Sequence, residues 1–229
     1  MPRPLTAAVA LVLALAACSP APAHDTAPSP ATAGRAGGGT VAAGPVGELT
    51  IVNVLGDSHS SWPGSWYERT VAAGTLAGVA PGVLSSHPGK TSVVLRTWVR
   101  ETTAGGGTVL IQAGTNDMLL TGSSPDQTAK DVAALVRAVE EAGARPILVS
   151  VPPSETLGDE VLEVNSLLSA WARVQGLGWV DVTTCVAMED GTWLPGMSAD
   201  GIHANDAGGR RMAKAVLAQL PEVLSAGGD

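Results

Sequence analysis

Leu49-Thr50-Ile51-Val52-Asn53-Val54-Leu55-Gly56-Asp57-Ser58-His59-Ser60-Ser61-Trp62, or LTIVNVLGDSHSSW, is an apolar run that breaks into a small, polar turn. Leu49 to Leu55 reads as a first β-strand. The turn carries Asp, Ser and His side by side, and Ser58 has two readings, a nucleophile or a helix N-cap. Three adjacent residues do not make a catalytic triad, because neighbouring side chains leave the backbone in diverging directions. Partners for Ser58 must come from distant segments.

Outward from this stretch the chain alternates strands with helices. Val79 to Ser85 reads as a short, interrupted second strand. Thr108 to Ala113 is a third, introduced by the turn glycines Gly105, Gly106 and Gly107, Pro146 to Val151 a fourth and Trp179 to Val182 a fifth. Between the third and fourth, Ser124-Pro125-Asp126-Gln127 forms a capping box with Pro in the first turn. Val132, Leu135, Val136 and Val139 then share one face, and Gly143 closes the helix. Further helices are predicted over Thr91–Glu101, Asp159–Gln175 and Asn205–Leu220. Alternation of this kind implies an α/β fold, a three-layer α/β/α sandwich around a mostly parallel five-stranded sheet. Sites in such sheets form at the carboxyl ends of the strands.

With 229 residues the chain can bury one sizeable core. Its 45% hydrophobic and 15% charged residues fit a globular protein. Six Trp, one Tyr and no Phe leave the core to Val, Leu, Ile and Ala, and give each Trp a chance of a surface role. A net charge of −8 without a basic cluster argues against a nucleic-acid partner.

Residues 1–17, with Arg3 and an apolar stretch from Leu5 to Ala17, are too short to span a bilayer comfortably and read as a signal peptide. Leu15-Ala16-Ala17-Cys18 resembles the bacterial lipobox, in which the cysteine is lipidated and becomes the new first residue. The other reading is ordinary cleavage after an A-x-A-like site. With Cys18 acylated, the chain would be exported and held at a membrane, on the extracytoplasmic side. Residues 18–47, rich in Pro, Gly and Ala, read as a flexible tether with a reach on the order of 30 Å. The folded domain is expected over 48–229. Cys185 is the other cysteine and reads as a buried, inert thiol.

Four short blocks stand at strand ends: Gly56-Asp57-Ser58, Gly89, Gly114-Thr115-Asn116-Asp117 and Asp200-Gly201-Ile202-His203. In this order they make residues 49 to 220 resemble the SGNH (GDSL-type) hydrolase family, in the form of a bacterial lipoprotein. His59 departs from the family's usual Leu. A GDSH opening is also similar to SGNH domains associated with acetyl transfer to bacterial glycans.

The resemblance implies a serine esterase that needs no cofactor. Ser58 would be the nucleophile, His203 its base, and Asp200 the group that orients and stabilises the imidazolium. The backbone N–H groups of Ser58 and Gly89 and the Asn116 amide would receive the oxyanion. Gly89 suits that role because it has no side chain to obstruct a close approach. Each residue also has a plain reading: His203 a surface histidine, Asp200 a turn residue, Asn116 and Asp117 turn closers, Gly89 a companion of Pro88.

His59 reads either as a substrate contact or as a helix cap, and His87 as a loop residue without catalytic duty. Trp62, Trp66 and Trp193 fall in loops beside the blocks, where flat rings either stack on sugar or pack, whereas Trp98 and Trp171 fall on helices. The His and Cys residues lack metal-ligand spacing, and no phosphate loop is present. The expected substrate is a small ester or an acylated glycan. A glycan O-acetyltransferase shares every catalytic residue, and a binding module that has lost catalysis is a third reading. The sequence does not specify an oligomeric state.

Overall fold

The computed structural model describes residues 49–226. Cys18, the expected signal peptide and the tether lie outside the described residues. The elements run β1 (Thr50–Gly56), α1 (Ser58–Ser61), α2 (Trp66–Arg69), β2 (Val79–Ser86), α3 (Ser92–Leu95), α4 (Val99–Thr103) and β3 (Thr108–Gln112). They continue α5 (Thr115–Thr121), α6 (Pro125–Glu141), β4 (Arg145–Val149), α7 (Asp159–Gln175), β5 (Gly178–Val180) and α8 (Asp206–Ser225). All four strand pairings are parallel, in the order β2-β1-β3-β4-β5. This is a doubly wound sheet whose order reverses between β1 and β3.

Both faces of the sheet are covered, and the strand period divides the core in two. Leu55, Val109, Ile111 and Leu148 face Val132, Leu135, Val136 and Val139 of α6 and Val161, Val164 and Leu168 of α7. Val52, Val54, Leu110, Ile147 and Val149 point to the other face, against Trp66 and Tyr67 of α2 and Met212, Val216 and Leu220 of α8. Residues one apart therefore serve opposite layers, as the pleat requires. Each such fully buried aliphatic side chain contributes about 1.5–3 kcal/mol of transfer free energy.

The second strand runs one residue beyond the expected Ser85, to Ser86, and lies at an edge of the sheet. Pro81 has no N–H to give, which only an edge strand or a bulge tolerates. The register of β1 on β2 shifts between Val52 and Val54. Asn53, the polar interruption of the apolar run, fills that irregularity: its Oδ1 accepts from Val83 N at 2.8 Å and its Nδ2 donates to Gly106 O at 2.8 Å.

Three helical expectations change. The span 91–101 is broken into α3, a 3-10 turn at Arg96–Trp98, and α4. Thr97 Oγ1 donates to Val94 O at 2.9 Å, a side-chain competitor for helix carbonyls in a run rich in β-branched residues. The third strand ends at Gln112, and Asn116 and Asp117 lie in the first turn of α5 instead of closing a turn. Finally, α8 continues through Pro221 to Ser225. The Arg145 guanidinium holds its last turn by donating to the carbonyls of Val223 and Leu224.

At α6, Ser124 Oγ accepts from Gln127 N at 3.2 Å, while the Gln127 amide turns outward to Asp131 at 3.0 Å. The serine half of the capping box forms, and the glutamine is engaged with α6's own surface.

Candidate active site

The strand ends of β2, β1 and β3 are neighbours in the sheet, and each delivers one of the sequence blocks. At β1, Asp57 is the N-cap of α1, with Oδ1 accepting from His59 N at 3.1 Å. Ser58 is the first helical residue. Its hydroxyl lies 2.8 Å from His203 Nε2, and His203 Nδ1 lies 2.7 Å from Asp200 Oδ2. The other Asp200 oxygen accepts from Ile202 N at 2.9 Å and from His203 N at 2.7 Å. The loop thus aims its own carboxylate at its own imidazole. Partial burial pushes the Asp200 carboxyl up, but the hydrogen bonds from His203 and Ile202 outweigh it and hold the group well below the usual carboxylate range. It is an anion suited to an imidazolium partner.

The loop bearing His203 is braced. Ser198 Oγ donates to His203 O at 2.6 Å and accepts from Gly201 N at 3.0 Å. Asn205 caps α8 by accepting from Ala207 N and Gly208 N. The start of α8 then meets its neighbours backbone to backbone: a Cβ on Gly208 would overlap Met197 O, and one on Gly209 would overlap Gly64 O.

At β3, the Asn116 amide donates to Asp57 Oδ2 at 3.2 Å and to Lys90 O at 3.1 Å. The next residue, Asp117, accepts from the backbone and hydroxyl of Ser92. These two residues pin the loop after β2, which carries Gly89. Gly89 has a φ of +72°, and a Cβ there would meet open space. The reason for glycine is therefore its left-handed backbone, rather than crowding by the surrounding protein. Burial drives the Asp57 carboxyl up to about 7, with the hydrogen bond from His59 N opposing and the Asp117 charge adding to the rise. Burial also raises Asp117, against the lowering hydrogen bonds from Ser92.

The expected substrate contacts fare differently. His59 is only 5% exposed, its ring centroid 5.1 Å from that of His203 and its Nε2 without a partner. It faces the protein and not a substrate. Nor does it cap the helix: Asp57 is the N-cap, and the His59 N–H is the donor that Asp57 receives. Burial lowers its ring to about 3, with His203 adding to the fall and Asp200 opposing it, so it stays neutral beside His203. Trp193 is 4% exposed and packs in the core with Val182, Val186 and Met212, which removes it as a sugar platform. Trp66 is fully buried and donates to Gln112 Oε1 at 2.8 Å.

Trp62 is 41% exposed, but one face is taken: its ring lies on His203 at a centroid distance of 3.8 Å and an interplanar angle of 5°. Trp98 stacks on His87 at 3.6 Å. Cys185 is half-buried, and burial raises its thiol.

Asp57 and Asp117 stood in the sequence blocks without a part in the site, and Ser92 and Gln112 were not singled out from the sequence. An acidic residue between a strand and a serine at a helix start is the signal that marks Asp57. The buried partners of Gln112, two on α1 and α2, leave no local pattern.

The model of the GDSL-like lipase/acylhydrolase family matches residues 51–211. Among solved structures, the chain is similar to a GDSL-like lipase from Bacteroides thetaiotaomicron at 20% identity, covering 80% of this chain and 91% of that one, with a TM-score of 0.61. A family 3 carbohydrate esterase from Clostridium thermocellum aligns at 14% identity over 78% and 98% of the two chains, TM-score 0.64. A carbohydrate acetylesterase from Sinorhizobium meliloti aligns at 17% identity over 76% and 99%, TM-score 0.60. At these identities the structures speak for the fold. No curated protein matches the chain.

Proposed function

We propose, from the premise that the chain belongs to the GDSL-like lipase/acylhydrolase family and is a serine esterase of the SGNH type, that it removes small O-acyl groups from envelope glycans as an exported, lipid-anchored enzyme. The observation that carries the reading is the unbroken line from Ser58 Oγ through His203 to Asp200, at 2.8 and 2.7 Å.

Ser58 attacks the acyl carbonyl while its proton passes to His203 Nε2, and Asp200 stabilises the resulting imidazolium. The oxyanion is received by the backbone N–H of Ser58 and Gly89 and by the Asn116 amide. Collapse expels the alkoxide, which takes the proton from His203 and leaves as the free alcohol. Water then gives a proton to His203 and attacks acyl-Ser58. Return of that proton to Ser58 Oγ frees the carboxylic acid.

A glycan as the alcohol part is supported by the names of two similar structures and by a polar groove nearby. Pro63, Gly64, Glu68, Arg69 and Asp206 line about 490 Å³ between the segment after Trp62 and the start of α8. Its charged groups are tied within the groove, Arg69 to Asp206 and Glu68 to Gly64 N, and their remaining donor and acceptor capacity suits sugar hydroxyls. Export and anchoring are supported by the sequence around Cys18.

A fluorophosphonate probe tests the nucleophile. One adduct on Ser58 is expected, absent in Ser58→Ala, with release of acetate from both p-nitrophenyl acetate and an acetylated sugar. Undiminished labelling of Ser58→Ala would place the nucleophile elsewhere.

A further inference from the structure

Two hydrogen bonds to opposite nitrogens fix a line through the His203 ring, running from Asp200 Oδ2 to Ser58 Oγ. They leave rotation of the ring about that line weakly restrained. What meets the flat face of the imidazole is the Trp62 indole, almost parallel to it at 3.8 Å. Backbone hydrogen bonds on both sides hold Trp62. Its N–H donates to Ser58 O at 2.8 Å, one helical turn from the nucleophile, and its carbonyl accepts from Ser65 N at 2.8 Å. Arg69 Nε, donating to Gly64 O at 2.8 Å, fixes the segment that follows. The ring over the base is thus placed by the same turn that places the nucleophile.

The chemistry gives this stack a second consequence. When the Ser58 proton reaches Nε2, the imidazole becomes a cation under the indole face, whose quadrupole presents negative charge to it. The neighbouring His59 ring stays neutral and adds no competing charge.

We infer that Trp62 is the positioning residue of His203, holding the plane of its imidazole and stabilising it as a cation during acyl transfer. The inference rests on His203 being the base, as proposed above.

The test compares Trp62→Leu, Trp62→Met and Trp62→Phe in the full chain, with p-nitrophenyl acetate and with glucose pentaacetate. Loss of the indole in Trp62→Leu and Trp62→Met should lower kcat about 3- to 30-fold on both esters at nearly constant KM, the range of a cation–π contact. Fluorophosphonate labelling of Ser58 should slow in parallel. Trp62→Phe, which keeps a ring, should recover most of the loss.

Equal activity of the Leu, Met and Phe variants would reduce Trp62 to a space filler and overturn the inference. A rise in KM confined to the sugar ester, with kcat on p-nitrophenyl acetate intact, would make Trp62 a substrate platform and overturn it too. Wild-type protein that neither takes the probe nor turns over either ester would remove the esterase reading itself. That failure differs from the other two, in which the wild type is active. Unfolding midpoints of the three variants accompany the kinetics, and the Met and Phe pair decides the matter if Trp62→Leu does not fold.

Discussion

Asn116 Nδ2 lies 3.2 Å from Asp57 Oδ2, so the residue beside Ser58 holds the amide proposed to receive the oxyanion. With Lys90 O at 3.1 Å, both amide hydrogens have partners within the protein. Accepting a substrate oxyanion means redirecting one of these long bonds. Asn116→Ala should therefore cost about 10²–10³ in kcat with KM little changed. Asp57→Asn should lower kcat by less, because an Asn amide facing Asn116 presents donor to donor and turns it. Steady-state kinetics on p-nitrophenyl acetate check both, and a change confined to KM removes Asn116 from the oxyanion hole.

Asp57 and His59 bend the pH–stability profile in opposite directions. The Asp57 carboxyl is raised from 3.8 to about 7 in the fold. Between those values the folded chain holds the proton that the unfolded chain releases, so this contribution is lost as pH rises from 4 to 7. Asp57→Asn should gain on the wild type over that window, read as the difference between their thermal midpoints at pH 4 and pH 8.

His59 is lowered from 6.5 to about 3, so the unfolded chain takes up its proton first and stability is lost as pH falls below 6.5. His59→Leu removes both this penalty and a buried Nε2 without a partner, which typically costs about 1–3 kcal/mol. The variant should unfold at a higher temperature than wild type, with a margin that widens from pH 7 to pH 4. It should keep most activity on a small ester. Loss as deep as that of His203→Ala in a folded variant would show that His59 belongs to the machinery.

Gln112 joins three elements under the site. Its Oε1 accepts from Trp66 Nε1 at 2.8 Å and from Ser60 Oγ at 3.2 Å, and its Nε2 donates to Ser150 O at 3.3 Å. Gln112→Leu leaves the buried Trp66 and Ser60 donors unmet, at about 1–3 kcal/mol each. Urea denaturation should show a lower midpoint at an unchanged slope.

If Cys18 is the anchor, the full chain expressed in a bacterium should partition with membranes and take up labelled fatty acid. Cys18→Ser should do neither. A mature chain without lipid would leave an ordinary secreted enzyme.

The sheet was legible in the sequence because parallel strands buried on both faces are short apolar runs, as in Thr108–Gln112 and Arg145–Val149. The line from Ser58 through His203 to Asp200 was legible because Ser58 follows β1 directly and one short block before α8 holds both Asp200 and His203. What escaped was set by distant contacts. Nothing near Trp193 separates a buried indole from a loop platform, and only tertiary packing buries the His59 ring. The short helix α5 was hidden because Thr, Asn and Asp carry turn propensity, which the tie of Asp117 to Ser92 overrides. The stack of Trp62 on His203 joins residues far apart in the chain, and no spacing announces it.

Ser58 and His203 stand 145 positions apart, yet the segments that bear them are pressed together where Gly209 abuts Gly64, while Gly208 abuts Met197 within the loop that carries His203. A methyl group at 209 acts as a wedge between the start of α8 and the segment after Trp62, and His203 travels with that start. Such a change alters no reacting atom, but it must displace one of the two segments. Positions 208 and 209 thus set how near the base can come to the serine, from places that no reacting group occupies.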